Sequence, residues 1–154
     1  GRIGKSEMYR NVLRYHVETW PEVLIIRMDE SLYFANTKYL EDTVLAAVAD
    51  QPNVKEFILQ GNAINFIDAS ALETLESLRE ELHGAGVEMH LTEIKGPVLD
   101  RLRDIGFVDK IGSDHIHFST NDALISLGYV NPTDVDDVHA AEAARLAQKP
   151  YPPK

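Results

Sequence analysis

Val54-Lys55-Glu56-Phe57-Ile58-Leu59-Gln60, then Asp68-Ala69-Ser70-Ala71-Leu72-Glu73-Thr74-Leu75-Glu76-Ser77-Leu78-Arg79-Glu80-Glu81-Leu82-His83, then Val87-Glu88-Met89-His90-Leu91-Thr92-Glu93-Ile94: along this stretch the hydrophobic period changes twice. The first segment centres on Phe57, Ile58 and Leu59 and predicts a strand. In the second, Leu72, Leu75, Leu78 and Leu82 recur at helical spacing, while Glu73, Glu76, Arg79 and Glu80 make a wet side. That helix is expected from Asp68 or Ser70 to about His83, with Gly84 and Gly86 as its stop. In the third, Val87, Met89 and Leu91 alternate with Glu88, His90 and Thr92, which predicts a second strand. Strands alternating with helices in this way argue for a mostly parallel or mixed sheet covered by helices.

The pattern extends outward in both directions. Val23-Leu24-Ile25-Ile26-Arg27-Met28 reads as a strand buried on both faces, after a turn marked by Pro21. Asn36 or Thr37 is the expected cap of a helix carrying Leu40, Val44, Ala47 and Val48, with Glu41 and Asp42 in its first turn. Tyr9 to Tyr15, around Val12 and Leu13, reads as an opening strand. Downstream, Gly96-Pro97 starts a helix whose Val98, Leu99, Leu102 and Ile105 face inward and which Gly106 ends. Ile116 and Phe118 mark a short last strand, and Thr120 or Asn121 caps a helix with Ala123, Leu124 and Leu127. The prediction is an α/β fold: a mixed, mostly parallel β-sheet flanked by about four helices. After Val130 the chain becomes rich in Asp, Ala and Pro. Asp134 to Gln148 is open to either a helix or a loose tail.

The chain has 154 residues, 44% hydrophobic and 26% charged, which suits one soluble domain. A net charge of -10 disfavours nucleic acid as a partner. With no cysteine, disulfides and thiolate metal sites are excluded. No run approaches the ~20 apolar residues of a membrane span. The opening residues do not form a signal peptide, and without an initiating Met a fragment of a longer protein is expected.

Three local features then carry a resemblance. Leu32-Tyr33-Phe34-Ala35-Asn36 follows the strand at Val23. Ile67-Asp68-Ala69-Ser70-Ala71-Leu72 enters the helix after the Val54 strand. Leu102-Arg103-Asp104-Ile105-Gly106-Phe107 ends the helix after Gly96. In this order and on these elements they resemble the STAS fold, which joins sulfate transporters to anti-sigma-factor antagonists. The resemblance spans residues 9–129. It implies that residues 1–8 are a link from a membrane domain and that residues 130–154 are a tail or extra helix. Antagonists of this family carry Asp-Ser-Ser-Gly where this chain has Asp68-Ala69-Ser70-Ala71. Phe34-Ala35-Asn36 and Gly1-Arg2-Ile3-Gly4 look like the SulP transporter branch. That branch implies a cytoplasmic regulatory and protein-interaction domain of a SulP-family anion (sulfate-like, bicarbonate or dicarboxylate) transporter, at the cytoplasmic face of the inner membrane. It implies no enzyme activity and no cofactor. Partners implied by the resemblance are the transporter's membrane domain, a second copy, acyl carrier protein or a nucleotide. The other branch implies a free-standing anti-sigma-factor antagonist controlled by phosphorylation at Ser70.

The candidate site residues fall in one loop, and three further places are weighed beside it. Asn62, Asn65, Phe66, Asp68, Ala69 and Ser70 form a loop and helix start that could receive a partner or an anion, because exposed backbone N–H groups and the helix dipole attract negative charge there. Alternatively, Ser70 and Glu73 form a capping box and nothing more. Ile64 and Phe66 either face outward as a contact patch or pack inward. His115 and His117 share one side of a predicted strand, a spacing that two metal ligands would need but that solvated histidines meet more often. Asp134, Asp136 and Asp137 lack the glycine and terminal glutamate of a calcium loop and read as a solvated helix start. Gly1-Arg2-Ile3-Gly4-Lys5-Ser6 is not a phosphate loop, its first glycine standing too close to the second. No catalytic arrangement is apparent. Ser70 has no local His, and Asp136-Asp137 lie in the tail, poor ground for the fixed geometry of acid–base work.

Overall fold

The computed structural model describes residues 1–135 and 140–150. Residues 21–123 form one compact unit, and residues 1–20 with 124–154 form another. In the first unit four strands, β1 (Val23–Arg27), β2 (Glu56–Gln60), β3 (Glu88–Thr92) and β4 (Ile116–His117), lie in the order β1-β2-β3-β4. Every pairing is parallel: Leu24 stands opposite Phe57, Phe57 opposite Met89, and Leu91 opposite Ile116. The sheet is thus parallel throughout its described strands.

Alternation divides the sheet into two faces. Leu24, Ile26, Phe57, Leu59, Met89, Leu91 and Ile116 share the face that packs into the hydrophobic core. That core is completed by Leu40 and Val44 of α1 (Phe34–Asp50), by Leu75, Leu78 and Leu82 of α2 (Ala69–Gly84), and by Val98 and Leu102 of α3 (Gly96–Asp104). Phe107 and Ile111 add a short helix, α4 (Phe107–Ile111). Burying one such Leu or Phe stabilises the fold by about 1.5–3 kcal/mol. α1 packs against α2. The other face carries Ile25, Ile58, His90, Thr92 and His117, three of them polar.

Several local expectations are corrected. Val23–Arg27 is not buried on both faces: it ends the strand order, and Leu24, Ile25 and Ile26 are only half-buried, whereas Phe57–Gln60 of central β2 are buried. Tyr9 to Tyr15 is not a strand. The Asn11 side-chain oxygen accepts from the Leu13 amide at 2.8 Å, and its carbonyl accepts from Arg14 and Tyr15. This Asx turn leaves Leu13 77% exposed. α1 starts at Phe34 and not after Asn36, because Asn36 sits at its third position and its side chain reaches back to accept from the Tyr33 amide at 2.8 Å. Glu41 and Asp42 therefore lie beyond the first turn. Ile105 does not face inward: it is the C-cap residue of α3 and is exposed. Phe118 lies past the end of β4 and is 92% exposed. The last helix of this region, α5 (Thr120–Ser126), is capped by Ser119, whose hydroxyl accepts from the Asp122 amide at 3.0 Å, while Thr120 and Asn121 are buried.

In the second unit the backbone of Arg2 bridges both Tyr9 and Glu18. The Arg2 side chain is buried and donates to the carbonyls of Ser6 at 2.8 Å and Asp134 at 2.6 Å. Within the tail, α6 (Ala140–Ala147) leads into a bridge from Gln148 to Tyr15. The His16 amide donates to Ala147 at 2.6 Å and the Lys149 amide to Arg14 at 2.8 Å. Asp134 pairs with Lys5 at 2.7 Å, whereas Asp136 and Asp137 lie outside the described residues.

Candidate functional site

Parallel strands deliver their connecting loops to one end of the sheet, where ligand and partner sites of such folds collect. Here the loops after β1 and β2 (residues 28–33 and 61–68) are stitched together. The Leu32 amide donates to Phe66 at 2.9 Å, and the Asp68 amide donates to Leu32 at 3.0 Å. The Ser31 hydroxyl accepts from the Asn65 and Phe66 amides, both at 3.1 Å. Leu32, Ile64 and Ile67 are buried beneath as anchors. Gly61 opens the second loop, where a Cβ would stand 2.4 Å from Ile94 Cδ1 and force that methyl to shift.

With its backbone fixed, the loop pair presents aromatic side chains outward. Tyr33 is 51% exposed, Phe34 59% and Phe66 41%. The Tyr33 and Phe66 rings stand 6.1 Å apart, and the Arg101 guanidinium lies 5.0 Å from the Phe66 centroid, a cation–π contact contributed by α3. Lys95 donates to the Asn65 side-chain oxygen at 2.5 Å. Beside this patch α2 begins. Asp68 is its N-cap and accepts from the Ala71 amide at 2.7 Å. Ser70 therefore stands at the second helical position, exposed, and the expected Ser70–Glu73 capping box does not form. Ser70 contributes only its backbone carbonyl, to the Thr74 hydroxyl at 3.1 Å.

Residues 14–123 match the family profile described as "STAS domain". The chain belongs to the STAS domain family. Among curated relatives, the STAS domain is 30% identical over 150 residues to "Probable sulfate transporter 4.2" of Arabidopsis thaliana, covering 89% of this chain and 22% of that protein. It thus spans about a fifth of the length of the transporters it matches. In fold it is similar to the SulP transporter STAS domain from Vibrio cholerae, with a TM-score of 0.61 at 20% identity, covering 71% of this chain and 84% of that one. It is also similar to the anti-sigma factor antagonist SpoIIAA in its unphosphorylated form, with a TM-score of 0.57 at 18% identity, covering 76% and 99%. None of the described helices is long and apolar enough to cross a membrane.

The STAS domain brings Asn65, Phe66, Asp68, Ala69 and Ser70 into the one loop and helix start expected of them, with Asn62 exposed nearby. It divides the two apolar loop residues, Ile64 going inward and Phe66 outward. Four contributors went unread in the sequence as site residues: Ser31, Tyr33, Lys95 and Arg101. Tyr33 carried a signal, standing in the Leu32–Asn36 motif. Lys95 and Arg101 arrive from a later loop and helix, and no local spacing announces that meeting. His115 does not share a strand with His117: it ends a 3₁₀ turn (Ser113–His115), and only His117 is on β4. No group of three ligating side chains among the described residues is placed to hold a metal ion.

Proposed function

We propose that this chain is the regulatory, partner-docking STAS domain of a SulP-type anion transporter, acting at the cytoplasmic face of the membrane and without catalysis of its own. The observation that carries the reading is the patch of Tyr33, Phe34 and Phe66 held open beside the exposed Ser70. Exposed aromatics that a rigid backbone keeps out of the core are what an interface anchor requires. The named relatives support the transporter setting, since sulfate transporters contain a segment similar to nearly the whole of this chain. A sulfate-like anion is the proposed cargo, and its selection would belong to the membrane domain.

The partner proposed for the patch is the transporter's own membrane domain; a second copy, acyl carrier protein or a nucleotide are the other occupants to test. In the intact transporter, Phe66→Glu and Tyr33→Ala should each change transport at least several-fold while leaving the circular dichroism of the isolated domain unchanged. Unaltered transport in both variants would remove the docking role. Fractionation of source cells tests the setting: the domain should be found in a large protein of the membrane fraction that resists alkaline washing.

A second reading has its own observation. Ser70 is exposed one residue inside a helix start, where a phosphate is electrostatically tolerated and its bulk would alter docking. This supports an anti-sigma-factor antagonist switched at Ser70, although Ala69 and Ala71 replace the usual Ser and Gly. It requires a soluble protein of this chain's own size and phosphate uptake that Ser70→Ala abolishes.

A further inference from the structure

On the sheet face opposite the Phe57–Met89 core, side chains from separate elements converge around one imidazole. His90 of β3 is 3% exposed. Its Nε2 lies 2.8 Å from Glu56 Oε2 of β2, and its Nδ1 lies 3.2 Å from His117 Nε2 of β4. The His115 ring stacks on it at 4.5 Å between centroids, tilted by only 8°. His115 Nδ1 in turn donates to the Met89 carbonyl at 2.9 Å, since a carbonyl can only accept.

These contacts do structural work that the backbone cannot. β4 pairs with β3 through just Leu91–Ile116 and Thr92–His117. Such a short strand has little ladder to hold it, and the His117–His90 and His115–Met89 contacts add to the packing of Ile116 on the core and the Thr120–Thr92 hydrogen bond of 2.9 Å just beyond it. The chain from Glu56 through His90 to His117 has one hydrogen for each contact. With the Glu56 carboxylate accepting, His90 Nε2 donates, His90 Nδ1 accepts and His117 Nε2 donates. A further proton on His90 Nδ1 sets two N–H groups facing each other across 3.2 Å unless His117 shifts its own hydrogen. A charge on both rings breaks the contact whatever the tautomer.

We propose that Glu56, His90, His115 and His117 form a proton-operated latch that fastens β4 and the preceding 3₁₀ turn to the sheet near neutral pH and releases them on acidification.

The electrostatics have a definite sign. Burial first, and then the charge of His115, push the His90 pKa down from 6.5 to about 4, against weaker upward pulls from Glu88 and Asp114. His117 is lowered by burial, by His90 and by His115, and raised less by Asp122 and Asp114. When β4 opens, these imidazoles regain ordinary pKa values, so the open form takes up protons first. Stability of the closed form is then lost as pH falls through about 6.5 towards 4. Glu56 works the other way. Burial and then Glu88 raise its pKa, helped by Glu22 and opposed by His115 and Lys55, so its protonation favours the closed form. His83 bonds Glu88 at 2.7 Å at the rim. For His90 alone the opening constant should rise up to about 20-fold between pH 7 and pH 5.

The test measures amide-exchange opening constants of Ile116 and His117 against Ile58 of β2 at pH 7 and pH 5, and follows the histidine ring resonances from pH 8 to pH 4. The 154-residue chain, His90→Gln and His117→Asn are compared. In the unaltered protein the β4 opening constants should rise at least several-fold more than that of Ile58, and His90 should titrate well below 6.5. His90→Gln should flatten the difference. If that variant does not fold, His117→Asn, at a half-buried position, gives the same readout. An ordinary titration of His90, equal rises at Ile116 and Ile58, or the same pH response in the folded variant would each overturn the latch.

Discussion

Replacing Asp68 by Ala removes the acceptor of the Ala71 amide at the start of α2. The expected cost is about 1 kcal/mol in urea unfolding. Ser70→Ala should change stability by less than about 0.5 kcal/mol, since Ser70 is exposed and offers only its backbone carbonyl. Equal losses for both variants would mean that Ser70 shares the cap. The contrast explains what could be read here in advance. The residues of the helix start were legible, because Asp and Ser before an apolar stripe are capping chemistry. Which of them caps was not, because either position suits a first turn and a shift of two residues exchanges cap and surface. His90 shows the same limit more sharply. In sequence it is one polar position of an alternating strand. Its role arises from Glu56, His115 and His117, brought to it by pairing across separate elements.

At the scale of elements, β2 with its two neighbours was legible because their apolar runs are long enough to show a period and the connections are long enough to cross over. The short elements were not. Asn11 bends the chain through a side-chain acceptor where Val12 and Leu13 suggested a strand. α4 is a single turn of helix, too short for a periodic signal. Gly61 tests how rigidly the loop between β2 and α2 is set. An added Cβ would meet Ile94 and, at 3.2 Å, Ile64. Gly61→Ala should therefore destabilise the domain by about 1–3 kcal/mol, as overpacking does. Combining it with Ile94→Val should restore part of the loss, since the closest clash is with the Ile94 Cδ1 methyl. A double variant no more stable than Gly61→Ala would place the strain in the backbone and not at that methyl.

For the whole molecule the question is where the domain ends. The resemblance spanned residues 9–129 and implied a link before it, with a tail or an extra helix after it, where the composition changes beyond Val130. The bonding of the second unit argues that the ends are held. Arg2 bridges Tyr9 and Glu18 and donates to Asp134, and residues 147–149 bond to 14–16. A chain cut to 9–129 would lose all of these and leave the carbonyls of Arg14 and Glu18 without their backbone donors. Core strands have no such dependence, because β2 takes its partners from β1 and β3. Hydrogen exchange on the two lengths of chain should therefore show faster exchange at His16 and Glu18, at least tenfold, with Phe57 and Leu59 slowed or hastened far less. Arg2→Ala in the full chain should reproduce the change at Glu18, since it removes the bonds to Ser6 and Asp134 that lock the Arg2 backbone in place. Identical exchange in the cut and full chains would mean that residues 1–8 and 130–154 do not hold one another in place.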